Sequence, residues 1–355
     1  MQQADRPLVV ARDDAVADEI QRIAAAVECE SEWVSDLDAA RESWADAPLV
    51  LIDDSVLVDD PGQALPRRER VLLVCKGAPG PASWQRAFVL GVEKVVALPE
   101  DEDTLVAAFA DVAEGPSQGK GQVLAVVGGC GGAGASVLAA SVGLRVARTG
   151  GSALLVDCDP LGGGVDLLLG SERAEGVRWP QLRVRSGRVS MSALEAALPA
   201  RKHGEGRLSV LSCDREGPGP TADAVAAVVE AGRRAGRVVV CDVPRQAESA
   251  SEEALRRADL VALVVPAEVR ACVAATRVLA RLGELTGEVR VLARGPAPDG
   301  LTAHDVADAV GVPLLGRIRT ERRLARAVER GVFNPRPGGA LGTAARAVLE
   351  TLASC

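Results

Sequence analysis

The sequence predicts a two-domain α/β protein, each domain a mainly parallel sheet flanked by helices. Three observations predict it. Short apolar runs alternate with amphipathic stretches along the chain, the pattern of parallel strands joined by crossover helices. The 355 residues, 48% of them hydrophobic, are enough for two cores rather than one. A polar stretch with turn chemistry, Gly115-Pro-Ser-Gln-Gly-Lys120, interrupts the alternation. The expected units are residues 1–115 and 122–355, joined by a linker at 116–121.

In the first unit, strands are expected at Pro7–Ala11, Pro48–Asp54, Val71–Cys75 and Lys94–Leu98, with helices from Asp14 through Ala26 and from Glu100 to Ala113. In the second, strands are expected at Gln122–Val127, Ala153–Asp157, Leu208–Ser212, Arg237–Asp242, Leu260–Val265, Val289–Ala293 and Val312–Gly316. A helix over Val137–Arg148 follows a glycine-rich turn, and the chain ends in a helix near Thr343–Ala353 with Ala344, Val348, Leu349 and Leu352 at helical spacing. That helix lacks the aromatics and basic face of a membrane-surface anchor, so a packed terminal helix is expected.

Composition narrows the function. The net charge of −8 disfavours broad nucleic-acid binding. The eight cysteines include no C-x-x-C pair, which points to reduced thiols in a cytosol rather than a zinc site or disulfide framework. No apolar run reaches the ~18 residues of a membrane span. A cytoplasmic protein is expected, with contact at the inner face of the cell membrane at most peripheral. His203 and His304 stand apart from any Ser or Cys motif, so a nucleophilic triad has no support.

Acidic residues follow the first strand at Asp13 and Asp14 and end another at Asp53. This layout resembles a response-regulator receiver, a flavodoxin-like fold in which such residues hold Mg²⁺ and accept a phosphoryl group. The strand ending at Leu98-Pro99-Glu100 carries no lysine to pair with a phosphoryl group. A pseudo-receiver acting as a docking module is therefore expected.

After Val127 the chain reads Gly128-Gly-Cys-Gly-Gly-Ala-Gly-Ala-Ser136 and enters a helix. Glycines there let backbone N–H groups and the helix N-terminus meet phosphate oxygens. Read as a P-loop, Gly129, Gly131, Gly132, Ala133 and Gly134 form the cradle, Ala135 stands where the lysine belongs, and Ser136 supplies the Mg²⁺-binding hydroxyl. The same letters fit the dinucleotide fingerprint Gly129-x-Gly131-x-x-Gly134, with Asp157 as its acidic partner at a strand end. On the loop alone the second frame is the more complete.

Three further segments favour the first frame. Leu154-Leu-Val-Asp157-Cys-Asp159-Pro160, Val238-Val-Val-Cys-Asp242-Val-Pro244, and Pro313-Leu-Leu-Gly-Arg-Ile-Arg with its following arginine-rich stretch resemble the switch I, Walker B and C-terminal segments of MinD/ParA proteins. With the receiver-like domain in front, the chain resembles the CpaE-like, septum-site-determining branch of that deviant-Walker family. Cys130 takes the place of the signature lysine, and no lysine lies between Lys120 and Lys202 to restore either one.

The resemblance implies ATP and Mg²⁺ as ligands, with Ser136, Asp157 and Asp242 at the metal and Asp159 positioning water. It also implies a spatial regulator of division or of Tad/Flp pilus and secretion machinery, with those proteins as partners and a nucleotide-dependent homodimer. Without the lysine, hydrolysis is expected to be weak or absent. A nucleotide-independent pseudo-ATPase scaffold and a Rossmann NAD(P)-binding protein stand as the rivals. Arg317, Arg319, Arg322, Arg323, Arg326 and Arg330 are expected on a solvated face paired with Glu321 and Glu329.

Overall fold

A computed structural model describes residues 6–27, 29–58, 65–113, 121–182, 189–246, 248–283, 285–298, 300–321 and 324–355. These form two compact units, one up to residue 116 and one from residue 117. The segment read as a linker falls largely outside the described residues, as do Arg322 and Arg323.

In the first unit, strands β1 (Leu8–Val10), β2 (Glu32–Val34), β3 (Val50–Asp53), β4 (Val71–Lys76) and β5 (Lys94–Leu98) form one parallel sheet in the order β2-β1-β3-β4-β5. A parallel sheet is covered on both faces, so its inner strands read as unbroken apolar runs. Residues of β1, β3 and β4 project alternately into two separate cores, one around Trp44 and one around Ile20, Ile23 and Phe109. Strand β2 was not expected from sequence. It lies at the edge, only three residues long and incompletely buried, and has no apolar run to announce it.

The second unit holds an eight-stranded sheet of β6 (Gln122–Gly128), β7 (Ser152–Asp157), β8 (Ala200–His203), β9 (Gly206–Leu211), β10 (Val238–Val243), β11 (Leu260–Pro266), β12 (Val289–Arg294) and β13 (Leu314–Ile318). Its order is β13-β12-β11-β6-β10-β7-β9-β8, parallel except for the β8–β9 pair. Strand β8, the other unexpected one, is an edge strand of sequence Ala-Arg-Lys-His. Strand β13 begins and ends two residues later than the expected Val312–Gly316.

Along β6, Val123, Ala125 and Val127 enter one core while Leu124 and Val126 enter the other. The helix Ala135–Arg148 lies in the second of these. The helix Ala340–Leu352 packs in the same core through Leu341, Ala344, Ala345, Val348 and Leu352, and the Gln122 side chain donates to the Leu352 carbonyl at 2.6 Å. The terminal helix is thus a packed element. All eight cysteines are free thiols, and no helix among the described residues is long and apolar enough to cross a membrane.

Candidate functional site

Strand β6 is flanked by β10 on one side and β11 on the other, so the loop leaving its carboxyl end emerges at the centre of the sheet. Clefts of open α/β sheets form at such switch points. Gly132 and Gly134 take φ values of +69° and +95°, where a side chain would be strained. Gly129 has a different reason: a Cβ there would lie 2.8 Å from the Ala275 methyl, and its N–H donates to the Val264 carbonyl at 2.8 Å. The loop is thereby pinned against β11 and runs into the helix Ala135–Arg148. The first N–H groups of that helix have no intrahelical acceptor and carry the positive end of its dipole.

Strand β10 places Asp242 opposite Val126 of β6 and Asp157 of β7. Burial, reinforced by the Asp157 charge and opposed by a hydrogen bond from the Ser136 hydroxyl, pushes the Asp242 carboxyl up to about 8. Ser136, Asp159 and Asp242 line one cleft of about 870 Å³ together with Gly131, Gly132 and Gly134. The sequence-derived residues Ala133 and Ala135 line it as well.

Asp157 sits elsewhere. Its carboxylate is 1% exposed and accepts from the N–H groups of Asp159, Val165 and Cys213 at 3.1, 3.2 and 3.2 Å, and from the Ser212 hydroxyl at 3.2 Å. It is not among the residues lining the cleft. Expected as a cation ligand, it instead ties the loop after β7 to the end of β9. Asp159 remains in the cleft, its carboxylate accepting from the Leu161 N–H at 3.1 Å.

Among the described residues, no group of three or more His, Cys, Asp or Glu side chains is arranged to hold a metal unaided. Mg²⁺ does not need one. It retains waters and is completed by phosphate oxygens, using one or two protein oxygens. The hard-oxygen pair of Ser136 and Asp242 fits that ion, and a carboxyl held protonated by burial beside other acids is the group a dication would ionise.

Sequence reasoning missed three participants. Asp166, fully buried, accepts from Arg178 Nε at 3.1 Å, from both terminal nitrogens of Arg215 at 2.8 and 2.9 Å, and from the Ser212 hydroxyl at 3.1 Å. Arg294 lines the cleft beside Gly134. Glu321 lines it too, but its carboxylate accepts from the Leu341 N–H at 3.1 Å and makes no ion pair among the described residues, so the pairing expected for the arginine cluster is not seen there.

In the first unit, Asp53 is 2% exposed. It accepts from the N–H groups of Arg12, Asp13 and Ser55 at 3.1, 2.9 and 3.1 Å and from the Ser55 hydroxyl. Asp13 caps the helix Asp14–Ala26, accepting from the Ala15 and Val16 N–H groups. Neighbouring Asp54 is bound by Arg86 and Ser83. A carboxylate so enclosed is a poor nucleophile toward a phosphodonor. The full chain incubated with acetyl phosphate should gain no mass at Asp53, and stoichiometric phosphorylation there by mass spectrometry would contradict this.

The sheet order decides between the two frames of the glycine loop. A dinucleotide fold places the strand that follows the glycine loop next to the first, so that its acid reaches the ribose. Here β10 separates β7 from β6, and Asp157 is buried under the loop it anchors. The architecture is that of a P-loop protein with Walker B strand β10, preceded by a receiver-like domain.

The Rv3660c-like, CheY-like N-terminal domain matches residues 10–120. The Mycobacterium tuberculosis protein Rv3660c is 42% identical over 343 residues, covering 96% of each chain. A protein named for septum-site determination, MinD of Nephroselmis olivacea, is 30% identical over 227 residues, covering 61% of this chain and 80% of its own. The chain belongs to the MinD/ParA P-loop family, in the Rv3660c-like branch that carries a receiver-like domain in front. Among solved structures, a ParA family ATPase from Chlorobium tepidum aligns with a TM-score of 0.52 at 15% identity, over 66% of this chain and 93% of that one. MinD in its complex with MinC from Aquifex aeolicus aligns at 0.52 and 24%, over 64% and 96%. Both show the same fold.

Proposed function

We propose that this chain is a MinD-like spatial regulator that binds Mg²⁺-ATP at its glycine loop and hydrolyses it slowly or not at all. The observation that carries this reading is the convergence of Ser136, Asp159 and buried Asp242 on one cleft, beside a loop whose Gly132 and Gly134 take positive φ. Ser136 and Asp242 would hold Mg²⁺, which supplies charge neutralisation of the phosphates. Asp159 would orient water, and Asp157 would set the loop that carries it.

The departure from an ordinary NTPase is chemical rather than architectural. A P-loop lysine matters most as charge shifts in the transition state. Ala135 removes that charge while leaving the backbone cradle in place, so binding is expected to outlast turnover. Such a protein works by occupancy. The bound nucleotide would bias its self-association or its hold on division or pilus/secretion proteins, at the inner face of the membrane or in the cytoplasm.

Calorimetry with ATP, ADP and NAD, with and without Mg²⁺, tests the proposal. ATP should bind in a Mg²⁺-dependent manner, and Ser136→Ala should weaken it on the order of tenfold. Tight NAD binding without ATP binding would refute it. Purified protein turning over ATP rapidly, with the rate abolished by Asp159→Ala, would refute the claim of weak hydrolysis alone.

A further inference from the structure

The cleft lacks both lysines of its family and contains two arginines close to the loop. Arg245 follows Pro244 just beyond β10, and its Nη2 stands 3.9 Å from where a Cβ on Gly131 would be. Arg294 ends β12, and its Cδ stands 3.7 Å from the equivalent position on Gly134. Both line the cleft with Ser136, Asp159 and Asp242. They reach it from opposite sides, because β10 flanks β6 on one side while β11 and β12 lie on the other.

The backbones of both are held. The Arg294 carbonyl accepts from the Ala267 N–H at 2.9 Å, and the Arg245 carbonyl accepts from Arg281. Their side chains differ. Arg245 is exposed, whereas Arg294 Nε is buried with no hydrogen-bond partner among the described residues. A buried cationic donor without an acceptor is costly, and an anion in the cleft would satisfy it.

We infer that Arg245 and Arg294 grip the phosphate chain of a nucleoside triphosphate, restoring the positive charge that Ala135 and Cys130 do not supply. The inference rests on the phosphate-binding reading of the loop and specifies how the charge is replaced. A guanidinium presents a planar fork that matches two phosphate oxygens, so two arginines can replace two lysines in binding. Neither projects from the loop itself, as the lysine of an ordinary P-loop does. The grip therefore depends on the carboxyl ends of β10 and β12, and a partner or ligand that moved either end would change nucleotide affinity.

The test is equilibrium binding of fluorescent ATP and AMP analogues to the full chain with Mg²⁺. Arg245→Gln and Arg294→Gln should each weaken ATP binding on the order of tenfold, and leave AMP within about twofold, because AMP lacks the outer phosphates. Adding Ala135→Lys to the double variant should recover ATP affinity to within about threefold of the wild type. Arg294→Lys, which keeps the charge without the fork, should fall between, and it carries the test for that position if Arg294→Gln does not melt cooperatively. If the wild type binds ATP and the glutamine variants bind it equally well, the inference falls while the loop reading stands. Equal losses for AMP and ATP would place the arginines on the nucleoside and also overturn it. A wild type that binds neither nucleotide would overturn the loop reading and the inference together.

Discussion

Replacing Asp166 by alanine should destabilise the second unit by about 3–5 kcal/mol, the cost of breaking a buried ion pair and stranding its partner. The Arg178 side chain is 8% exposed and Arg215 41%, so the two arginines are not equivalent. Arg215 can turn to water when its acceptor goes. Arg178 cannot, and would keep only the carbonyls of Gly176, Ser171 and Ala174. Asp166→Asn keeps the shape but leaves the cation uncompensated, and should cost less than alanine while still exceeding Arg215→Ala, which leaves Arg178 bonded to the buried carboxylate.

The pH dependence follows from the same contacts. Burial would raise the Asp166 carboxyl, but the hydrogen bonds from Arg215 and Arg178 outweigh it and hold the group below the usual carboxylate range. A carboxylate with a lowered pKa stabilises above its unfolded value and loses that contribution as pH falls through the folded one. The Asp166 contribution should therefore be intact at neutral pH and fade only in acid. Hydrogen exchange on peptides of β7 and β9 in rising urea reads it directly. Protection in Asp166→Ala indistinguishable from wild type would show that the network contributes nothing.

Much of the site was legible in the sequence. The glycines at 129, 131, 132 and 134 announce the tight turn between β6 and its helix, and Asp242 is marked by the apolar run of β10 that precedes it. Buried parallel strands are easy to read because both faces are covered. The edge strands β2 and β8 were not, since one is only the three residues Glu-Trp-Val and the other reads Ala-Arg-Lys-His, neither an apolar run of strand length. Asp157 illustrates a different limit. The motif Asp157-Cys-Asp159 suggests one acid at the cation and one at the water, but β7 ends at Asp157, whose carboxylate is tied up by the Val165 N–H, while Asp159, beyond the strand end, lines the cleft. Arg215 and Arg294 were illegible as partners because each meets its neighbour, Asp166 for the one and Gly134 for the other, across a long sequence separation that only the fold closes.

The cation-free protein should lose stability as pH rises from about 4 to about 8, and Asp242→Asn should abolish much of that slope. The sign runs opposite to that of Asp166. Burial, with the Asp157 charge beside it, raises the Asp242 carboxyl to about 8, whereas the unfolded chain ionises it at its ordinary value. Between those values the native state holds a proton that the unfolded state has released, so each pH unit favours unfolding by up to about 1.4 kcal/mol. Asp157 is raised by burial in the same direction, so a residual slope should persist in the variant. At pH 8, Asp242→Asn should be more stable than wild type by on the order of 2–4 kcal/mol, because an amide carries no charge to desolvate and can still accept from the Ser136 hydroxyl. The same substitution should abolish most of the Mg²⁺ dependence of ATP binding, separating stability from function in one variant. For the wild type, seating Mg²⁺ against Asp242 at pH 7 must expel the proton. Calorimetry of Mg²⁺-ATP binding in buffers of different ionisation enthalpy should then report close to one proton released at pH 7, and progressively fewer above pH 8. Proton release that did not differ between wild type and Asp242→Asn would remove Asp242 from the metal site.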